Sequence, residues 1–233
     1  MRIKQFFLEG LGHQSYLISD DAAGVAAVVD PRRDIAIYLD AAERAHAQIT
    51  HVFETHVHND YVTGALELRD RVGATIVTAA AAGVRYDHLG VRESDSVAVG
   101  GLRFVALETP GHTPSHLSYA LYAPEASEPH AIFTGGSLLT GAIGRTDLVS
   151  PGMTLTLTRE QYRSLRRLLD TLPVATLVYP THGAGSFCGA TTLSSKARSS
   201  TIGQERAHNP VTQADDEAAF VREQIAGYGL YPS

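Results

Sequence analysis

The chain has little cysteine and no long hydrophobic run. Of its 233 residues only Cys188 is a cysteine, so no disulfide can form within the chain. A lone thiol is typical of a reducing compartment, and we expect a cytoplasmic protein. No apolar stretch approaches the length of a membrane span. The apolar run near the N-terminus is too short for a signal peptide. We therefore expect no membrane association.

Positive charge is also scarce. Nineteen lysines and arginines stand against 25 acidic residues, which gives a net charge of −6, and the basic residues form no cluster. Broad electrostatic binding to nucleic acid or to an acidic membrane is therefore not expected. Apolar residues make up 44% and charged residues 19% of the chain, which is ordinary for a soluble globular protein. The length suits one large domain or two small ones.

Histidine, in contrast, is frequent, and three loops contain it in a pattern. The chain has 11 histidines. The loop at 54–64 reads ETHVHNDYVTG, and those at 109–116 and 179–185 read TPGHTPSH and YPTHGAG. Each follows an apolar, strand-like segment. We therefore expect the three loops to converge on one edge of a sheet.

The first histidine loop has the spacing of a metal site. His56 and His58 lie two residues apart in an extended segment, so their side chains point the same way. Asp60 lies near the start of a predicted helix, where an anionic side chain is favoured. Imidazole and carboxylate groups together suit a borderline metal such as zinc or iron. A histidine pair alone usually lies on the surface or in the core without binding a metal. The two further histidine loops are what favour the metal interpretation.

Strand and helix patterns are mixed along the chain, with runs of adjacent strands in each half. Such runs suit two sheets packed together and flanked by helices. The periodicity and the turn signals predict strands at 2–8, 15–19, 25–30, 49–54, 74–78, 96–99, 102–108, 116–122, 131–134 and 174–179. They predict helices at 34–46, 61–72, 158–172 and 213–226.

The sequence Thr55-His56-Val57-His58-Asn59-Asp60-Tyr61, with Gly111-His112-Thr113-Pro114 further on, resembles the metallo-β-lactamase superfamily. The resemblance covers nearly the whole chain. It implies an α/β (α+β) fold, an αββα sandwich of two mixed sheets flanked by helices, in a single domain over 1–233. The metal site would lie at one edge of the two sheets.

Further stretches look most like the persulfide dioxygenase and glyoxalase II branch of that superfamily: Phe133-Thr134-Gly135, Gly144-Arg145-Thr146-Asp147, and Gly203-Gln204-Glu205-Arg206-Ala207-His208-Asn209-Pro210. They are most similar to the form that is fused to rhodanese domains. A rhodanese domain partner, with this chain as the N-terminal part of a longer fusion, is therefore one expectation. A homodimer is another.

Two positions depart from the family pattern. Tyr61 stands where most members have histidine, and Gly136 stands where most have aspartate. The resemblance implies that this aspartate bridges the metals of two-zinc hydrolases and completes the ligand triad of one-iron dioxygenases. The first metal site would keep His56, His58 and His112, and the second would keep only Asp60 and His182. We therefore expect one metal ion, with Fe(II) favoured over Zn(II), and with Asp60 or the substrate in place of the missing carboxylate.

The resemblance implies a persulfide dioxygenase-like enzyme of sulfur metabolism, which oxidises a low-molecular-weight thiol persulfide to sulfite with O2. Asp60 or Tyr61 would orient water or substrate. A glyoxalase II-like thioester hydrolase is the first alternative. A degenerate domain that binds a thiol or a partner protein without catalysis is the second.

Three other side chains have two interpretations each. Arg145 is a candidate for holding an anionic substrate, and an ion pair with Asp147 in a structural turn is equally favoured. Cys188 is a candidate for lining the pocket and handling sulfur, although a lone cysteine is usually a small buried hydrophobe. For His116 we expect a structural hydrogen bond rather than metal ligation.

Overall fold

Two sheets, one from each half of the chain, form the centre of the fold. The computed structural model describes residues 1–183, 186–189, 197–214 and 216–228. The first half contains β1 Arg2–Leu8, β2 His13–Asp20, β3 Val25–Val29, α1 Ala36–Arg44, β4 Gln48–Phe53, α2 Ala65–Val72, β5 Thr75–Ala79 and β6 Leu89–Val91. The second half contains β7 Ser96–Val99, β8 Leu102–Glu108, β9 Leu117–Tyr122, β10 Ala131–Gly135, α3 Thr154–Thr171, β11 Leu177–Pro180, β12 Ser200–Thr201, α4 Ile202–His208 and α5 Glu217–Gly227.

Both sheets mix parallel and antiparallel pairs. In the first sheet the strands follow chain order from β1 to β6. Strands β1, β2 and β3 pair antiparallel, and β3 to β6 pair in parallel. The second sheet has the order β12-β11-β10-β9-β8-β7, in which β10 and β11 are parallel and the other neighbours antiparallel. The predicted arrangement of two mixed sheets with flanking helices is confirmed.

Aromatic rings fill the space between the sheets. Phe53 of β4 stacks on Phe104 of β8 with ring centres 4.3 Å apart, and Tyr16 of β2 contacts Phe133 of β10 at 5.1 Å. All four side chains are fully buried, and each such burial contributes roughly 1.5–3 kcal/mol. Because side chains alternate along a strand, the intervening residues face outwards. They pack under α1 and α2 on one sheet and under α3 and α5 on the other.

Parallel strands place the histidine loops at one edge of the sandwich. In the first sheet, β3 is followed by Asp30 and β4 by the loop 54–64. In the second sheet, β10 is followed by Gly136, and His182 lies two residues after the end of β11. The carboxyl ends of parallel strands lie at the same edge of a sheet, where ligand sites commonly form. The predicted convergence of the loops follows from this topology.

Several element boundaries differ from the predictions. The helix expected from residue 61 begins at Ala65, because the preceding segment is bonded to the connection between β3 and α1: the Gly64 N–H donates to the Pro31 carbonyl at 2.8 Å. The helix expected from residue 158 begins earlier, at Thr154. Thr158 therefore lies inside α3, where its hydroxyl donates to the Thr154 carbonyl at 2.7 Å.

The C-terminal part also differs. The strand expected from residue 174 begins at Leu177, because the Thr176 N–H closes a turn onto the Pro173 carbonyl at 3.0 Å. The tail helix begins at Glu217 after an Asp216 cap. Strand β6 and helix α4 were not predicted, since each is short. Among the described helices, none has the length and apolar character needed to cross a bilayer.

Candidate metal centre

Three buried imidazoles meet at the edge of the two sheets. His56 follows β4, His112 lies between β8 and β9, and His182 follows β11. One ring nitrogen from each lies within 4.8 Å of the other two. The Nε2 atoms of His56 and His182 are 3.2 Å apart. With metal–nitrogen bonds of about 2.0–2.1 Å, two nitrogens on one ion lie about 2.9–3.4 Å apart. The observed separation therefore fits two ligands of a single ion.

Hydrogen bonds direct the lone pairs of His56 and His112 inwards. The Nδ1 atom of His112 lies 2.7 Å from the Arg145 carbonyl, which can only accept, so Nδ1 carries the proton. The Thr55 hydroxyl donates to Asp30 Oδ2 at 2.7 Å, and it therefore accepts from Nδ1 of His56 at 2.8 Å. In both rings Nε2 is left unprotonated. Such outer partners orient the ligands of metal sites.

Burial keeps these two imidazoles neutral. Burial, with a smaller contribution from neighbouring histidines, lowers the pKa of His112 to about 3 and the pKa of His56 well below its ordinary value. A metal binds only the neutral form of imidazole. The donor set therefore fits a borderline ion such as iron or zinc.

Asp60 lies behind His182. Its Oδ2 atom is 3.2 Å from Nδ1 of His182, and both side chains are buried. Within the described residues neither atom makes an aligned hydrogen bond. Burial would raise the pKa of Asp60, but His182 and the nearby His58 outweigh that effect and hold it well below its usual range. Asp60 is therefore a carboxylate anion beside the histidine cluster.

His58 faces two other carboxylates. Its Nε2 atom lies 3.3 Å from Asp30 Oδ1 and 3.3 Å from Glu54 Oε2. Burial would lower its pKa, but the two carboxylates raise it to about 10, so the ring is protonated. His58 also falls in a second group of close donor atoms with Asp60 and His182. Its role as a ligand stays a prediction.

Gly136 leaves room for the His112 ring. A Cβ atom at Gly136 would lie 2.2 Å from Cδ2 of His112, and one at Gly144 would lie 2.7 Å from Nδ1 of the same ring. The imidazole thus occupies the space beside position 136 that any larger residue would need. The Gly136 N–H donates to Nε2 of His116 at 3.0 Å, and Nδ1 of that histidine bonds the Thr109 hydroxyl at 2.9 Å. His116 thus makes the structural hydrogen bonds expected of it.

Tyr61 packs below the site. Its ring lies 4.0 Å from that of His13 and 4.4 Å from that of His58. Its hydroxyl donates to the Asp30 carbonyl at 3.4 Å, and burial raises its pKa well above the ordinary value. The phenol is therefore protonated and held against the chain. These contacts give it a supporting position, and a catalytic role for Tyr61 stays a prediction.

Arg145 and Cys188 are both engaged within the protein. The guanidinium of Arg145 makes two hydrogen bonds to Asp147, at 2.9 and 2.6 Å, as the structural interpretation expects. The Arg145 N–H donates to the Cys188 carbonyl at 2.7 Å. Cys188 is fully buried, and burial raises the pKa of its thiol. A reactive cysteine needs the opposite shift. Substrate-binding roles for both residues stay predictions.

The sequence did not predict the hydrogen-bond network that lies beneath the three histidines. Asp30 accepts hydrogen bonds from the Thr55 N–H at 2.8 Å and from the hydroxyls of Thr55 and Thr181. It was predicted only as the last residue of a strand before Pro31. An aspartate at the end of an apolar strand next to the histidine-bearing one is the signal that marks it, because such a carboxylate is buried only where donors surround it.

Sequence comparison assigns the family. The profile described as the Metallo-beta-lactamase superfamily matches residues 8–182, well over half of the chain. The chain belongs to the metallo-β-lactamase superfamily. The expected family and its αββα sandwich are thereby confirmed.

Individual relatives of this chain include two kinds of enzyme. It is 34% identical to the hydroxyacylglutathione hydrolase of Rhodospirillum rubrum over 72% of its own length and 60% of that protein. It is 30% identical to the mitochondrial persulfide dioxygenase ETHE1 of Mus musculus over 89% of its own length and 74% of that protein. The alignment thus spans about 60% of the hydrolase, and more of the dioxygenase.

Solved structures show the same fold over nearly the entire chain. The metallo-β-lactamase from Staphylococcus aureus superposes with a TM-score of 0.89 at 30% identity, covering 99% of this chain and 69% of the other. ETHE1 from Myxococcus xanthus superposes with a TM-score of 0.82 at 34% identity, covering 97% and 90%.

Proposed function

We propose that this chain is a metal-dependent persulfide dioxygenase-like enzyme with one metal ion per chain. The observation that carries the proposal is the buried group of three imidazoles, in which two Nε2 atoms lie 3.2 Å apart as on a single ion. Both sheets supply loops to this group, which supports a single domain over residues 1–233. His56 and His112 are two proposed ligands, and the third comes from among His58, Asp60 and His182.

Coverage of the relatives favours the dioxygenase over the hydrolase. The alignment with the mouse persulfide dioxygenase includes 89% of this chain, and the superposition on the Myxococcus xanthus protein covers 90% of that chain. The alignments with the hydrolases of Rhodospirillum rubrum and Cereibacter sphaeroides stop at 60% and 61% of those proteins. Gly136 and Tyr61 also leave few ligands for the second ion that a two-metal hydrolase employs.

The proposed reaction is RSSH + O2 + H2O → RSH + SO3²⁻ + 2H⁺, where R is a low-molecular-weight thiol carrier. The terminal sulfur is oxidised by four electrons, O2 is reduced, the S–S bond breaks, and water supplies the third oxygen of sulfite. Bound Fe(II), the favoured metal with Zn(II) as the alternative, would supply open positions for O2 and sulfur. The protein's part is to hold His56 through Thr55 and His112 through the Arg145 carbonyl, and to exclude bulk water by burial.

Oxygen uptake tests the proposal. Protein loaded anaerobically with Fe(II) is mixed with glutathione persulfide, and O2 and sulfite are measured together. We expect one sulfite per O2 consumed and at least a 100-fold loss in His112→Ala, because a ligand is removed. His130→Ala, which changes an exposed histidine between β9 and β10, should match the wild type.

The same preparations are tested against S-lactoylglutathione, in Fe(II) and Zn(II) forms. Thioester hydrolysis without O2 uptake would contradict the dioxygenase proposal and would favour the thioester hydrolase. Inactivity in both assays, with full metal occupancy, would favour a binding domain.

A further inference from the structure

The ligand set of this chain differs from the one its first motif predicts. We infer that His56, His112 and His182 hold the ion, that Gly136 makes this set possible, and that Asp60 supports His182 from outside the ligand set. The inference rests on the proposed metal dependence, but it does not depend on which substrate is oxidised.

His182 is directed at the first site. Its Nε2 atom lies 3.2 Å from Nε2 of His56, and its ring centre is 5.2 Å from those of both His56 and His112. Its other nitrogen, Nδ1, faces Asp60 Oδ2 at 3.2 Å. With the proton on Nδ1 beside this carboxylate, the lone pair of Nε2 is free for a metal.

Asp60 therefore has the position of an outer partner. Metal-bound histidines commonly donate their second N–H to a carboxylate, which fixes the ring and increases its basicity. Both carboxylate oxygens of Asp60 and Nδ1 of His182 are buried without an aligned hydrogen bond among the described residues. A small rotation of the His182 ring onto an ion would satisfy both groups.

His58 is already held elsewhere. Its Nε2 atom lies 3.3 Å from each of two buried carboxylates, Asp30 and Glu54. Its Nδ1 atom is buried without a hydrogen-bond partner among the described residues. However, the group of close nitrogens that contains His56 and His112 also contains His182 and not His58. The His-x-His pair is therefore divided, with His56 at the ion and His58 in the supporting network.

Gly136 determines the position of His112. A Cβ atom there would meet three atoms of the His112 ring, at 2.2, 2.6 and 2.8 Å. Any other residue would push the ring away from His56 and His182. The glycine is thus part of a three-histidine site rather than a missing ligand.

Co(II) binding to metal-free protein tests the inference, with visible absorption and calorimetry as readouts. We expect about one Co(II) per wild-type chain. His182→Ala should bind at least about 100-fold more weakly, because a ligand is lost. Asp60→Asn should still bind one ion, but about 10–100-fold more weakly, as for other outer partners. His58→Gln removes no ligand of this set and keeps a hydrogen-bond donor near Asp30, so it should weaken binding by less than His182→Ala does.

The matched pair Gly136→Ala and Gly136→Asp decides between the two ligand sets. The first adds only a Cβ atom, and the second also supplies the carboxylate usual in the family. Both should weaken Co(II) binding, because both displace His112. Tighter binding by Gly136→Asp, normal binding by His182→Ala, or no binding by the wild type would overturn the inference.

Circular dichroism of each metal-free variant shows whether it is folded, and the Gly136 pair remains decisive if His58→Gln unfolds. A protein that binds Co(II) as expected but consumes no O2 with Fe(II) would contradict the proposed function alone.

Discussion

Asp30 shows how one side chain can join both halves of the molecule. It accepts hydrogen bonds from Thr55 after β4 and from Thr181 after β11, and it lies 3.3 Å from the ring of His58. Its backbone has a φ of 47°, which costs a residue with a Cβ about 1–2 kcal/mol. The surrounding donors offset that cost and hold the carboxylate under His56.

Replacing this carboxylate should destabilise the fold. In Asp30→Asn the NH2 group of the amide would face the donors that now bind the carboxylate. The protonated His58 would also have one carboxylate fewer beside it. We expect the free energy of unfolding to fall by about 3–5 kcal/mol, as when one partner of a buried ion pair is removed. Urea unfolding with a chelator present measures this without a metal contribution.

Asp34→Asn is the matched control. Asp34 is exposed and pairs with Arg32 at 3.3 Å, so its loss should cost less than about 1 kcal/mol. Equal stability of the two variants would show that Asp30 is not the structural centre described above.

Among the elements, the short helix α4 depends on its cap. The Thr201 hydroxyl accepts from the Gln204 N–H at 3.2 Å, and the Gln204 side chain accepts from the Thr201 N–H at 3.1 Å. The helix holds Glu205, whose Oε2 accepts from the Gly141 N–H at 3.0 Å and from Asn209 at 2.7 Å. The cap thus stabilises the turn that follows β10.

Removing the capping hydroxyl gives an element-scale prediction. Thr201→Ala should lower the free energy of unfolding by about 1 kcal/mol, the usual cost of a lost N-cap. Thr201→Ser keeps the hydroxyl and should retain most of the stability. The urea midpoints of the two variants, compared at equal slope, give the difference in their free energies of unfolding. A Thr201→Ser variant as unstable as Thr201→Ala would contradict the capping role.

An element is predictable from the sequence when the interactions that form it involve residues close together along the chain. The strand around Phe133 is predicted correctly because it is buried at every position and begins with an apolar run. The start of α2 was misplaced because Gly64 bonds to Pro31, a partner 33 positions earlier in the printed sequence. Helix α4 has seven residues, too few for a periodic pattern to stand out.

The candidate site shows the same limit. Motif and loop positions predicted that His56, His112 and His182 would lie together. They did not predict which way His58 would turn, because Asp30 and Glu54 decide that through contacts made only in the folded chain. The absence of a side chain at Gly136 suggested a lost ligand, whereas the structure shows the space filled by His112.

At the scale of the whole molecule, the candidate metal centre joins residues from the two sheets. His56 belongs to the first sheet's loops, and His182 follows a strand of the second. A ligand that binds only the folded state stabilises it by RT ln(1 + [L]/Kd). Metal at 100 times its Kd should therefore raise the free energy of unfolding by about 2.7 kcal/mol.

Urea unfolding with and without Zn(II) checks this value. A chelator should reverse the gain, and His56→Ala should show none. An equal gain in that variant would place the stabilising ion elsewhere.

The proposed ligands His56 and His182 are separated by 126 positions along the chain, and that distance has a consequence for biosynthesis. A ribosome adds residues in order, so a growing chain exposes His56 and His112 long before His182 exists. Closing so long a segment carries an entropy cost that only the folded sandwich offsets. The inferred ligand set is therefore complete only in a chain that includes β11 and has brought both sheets together.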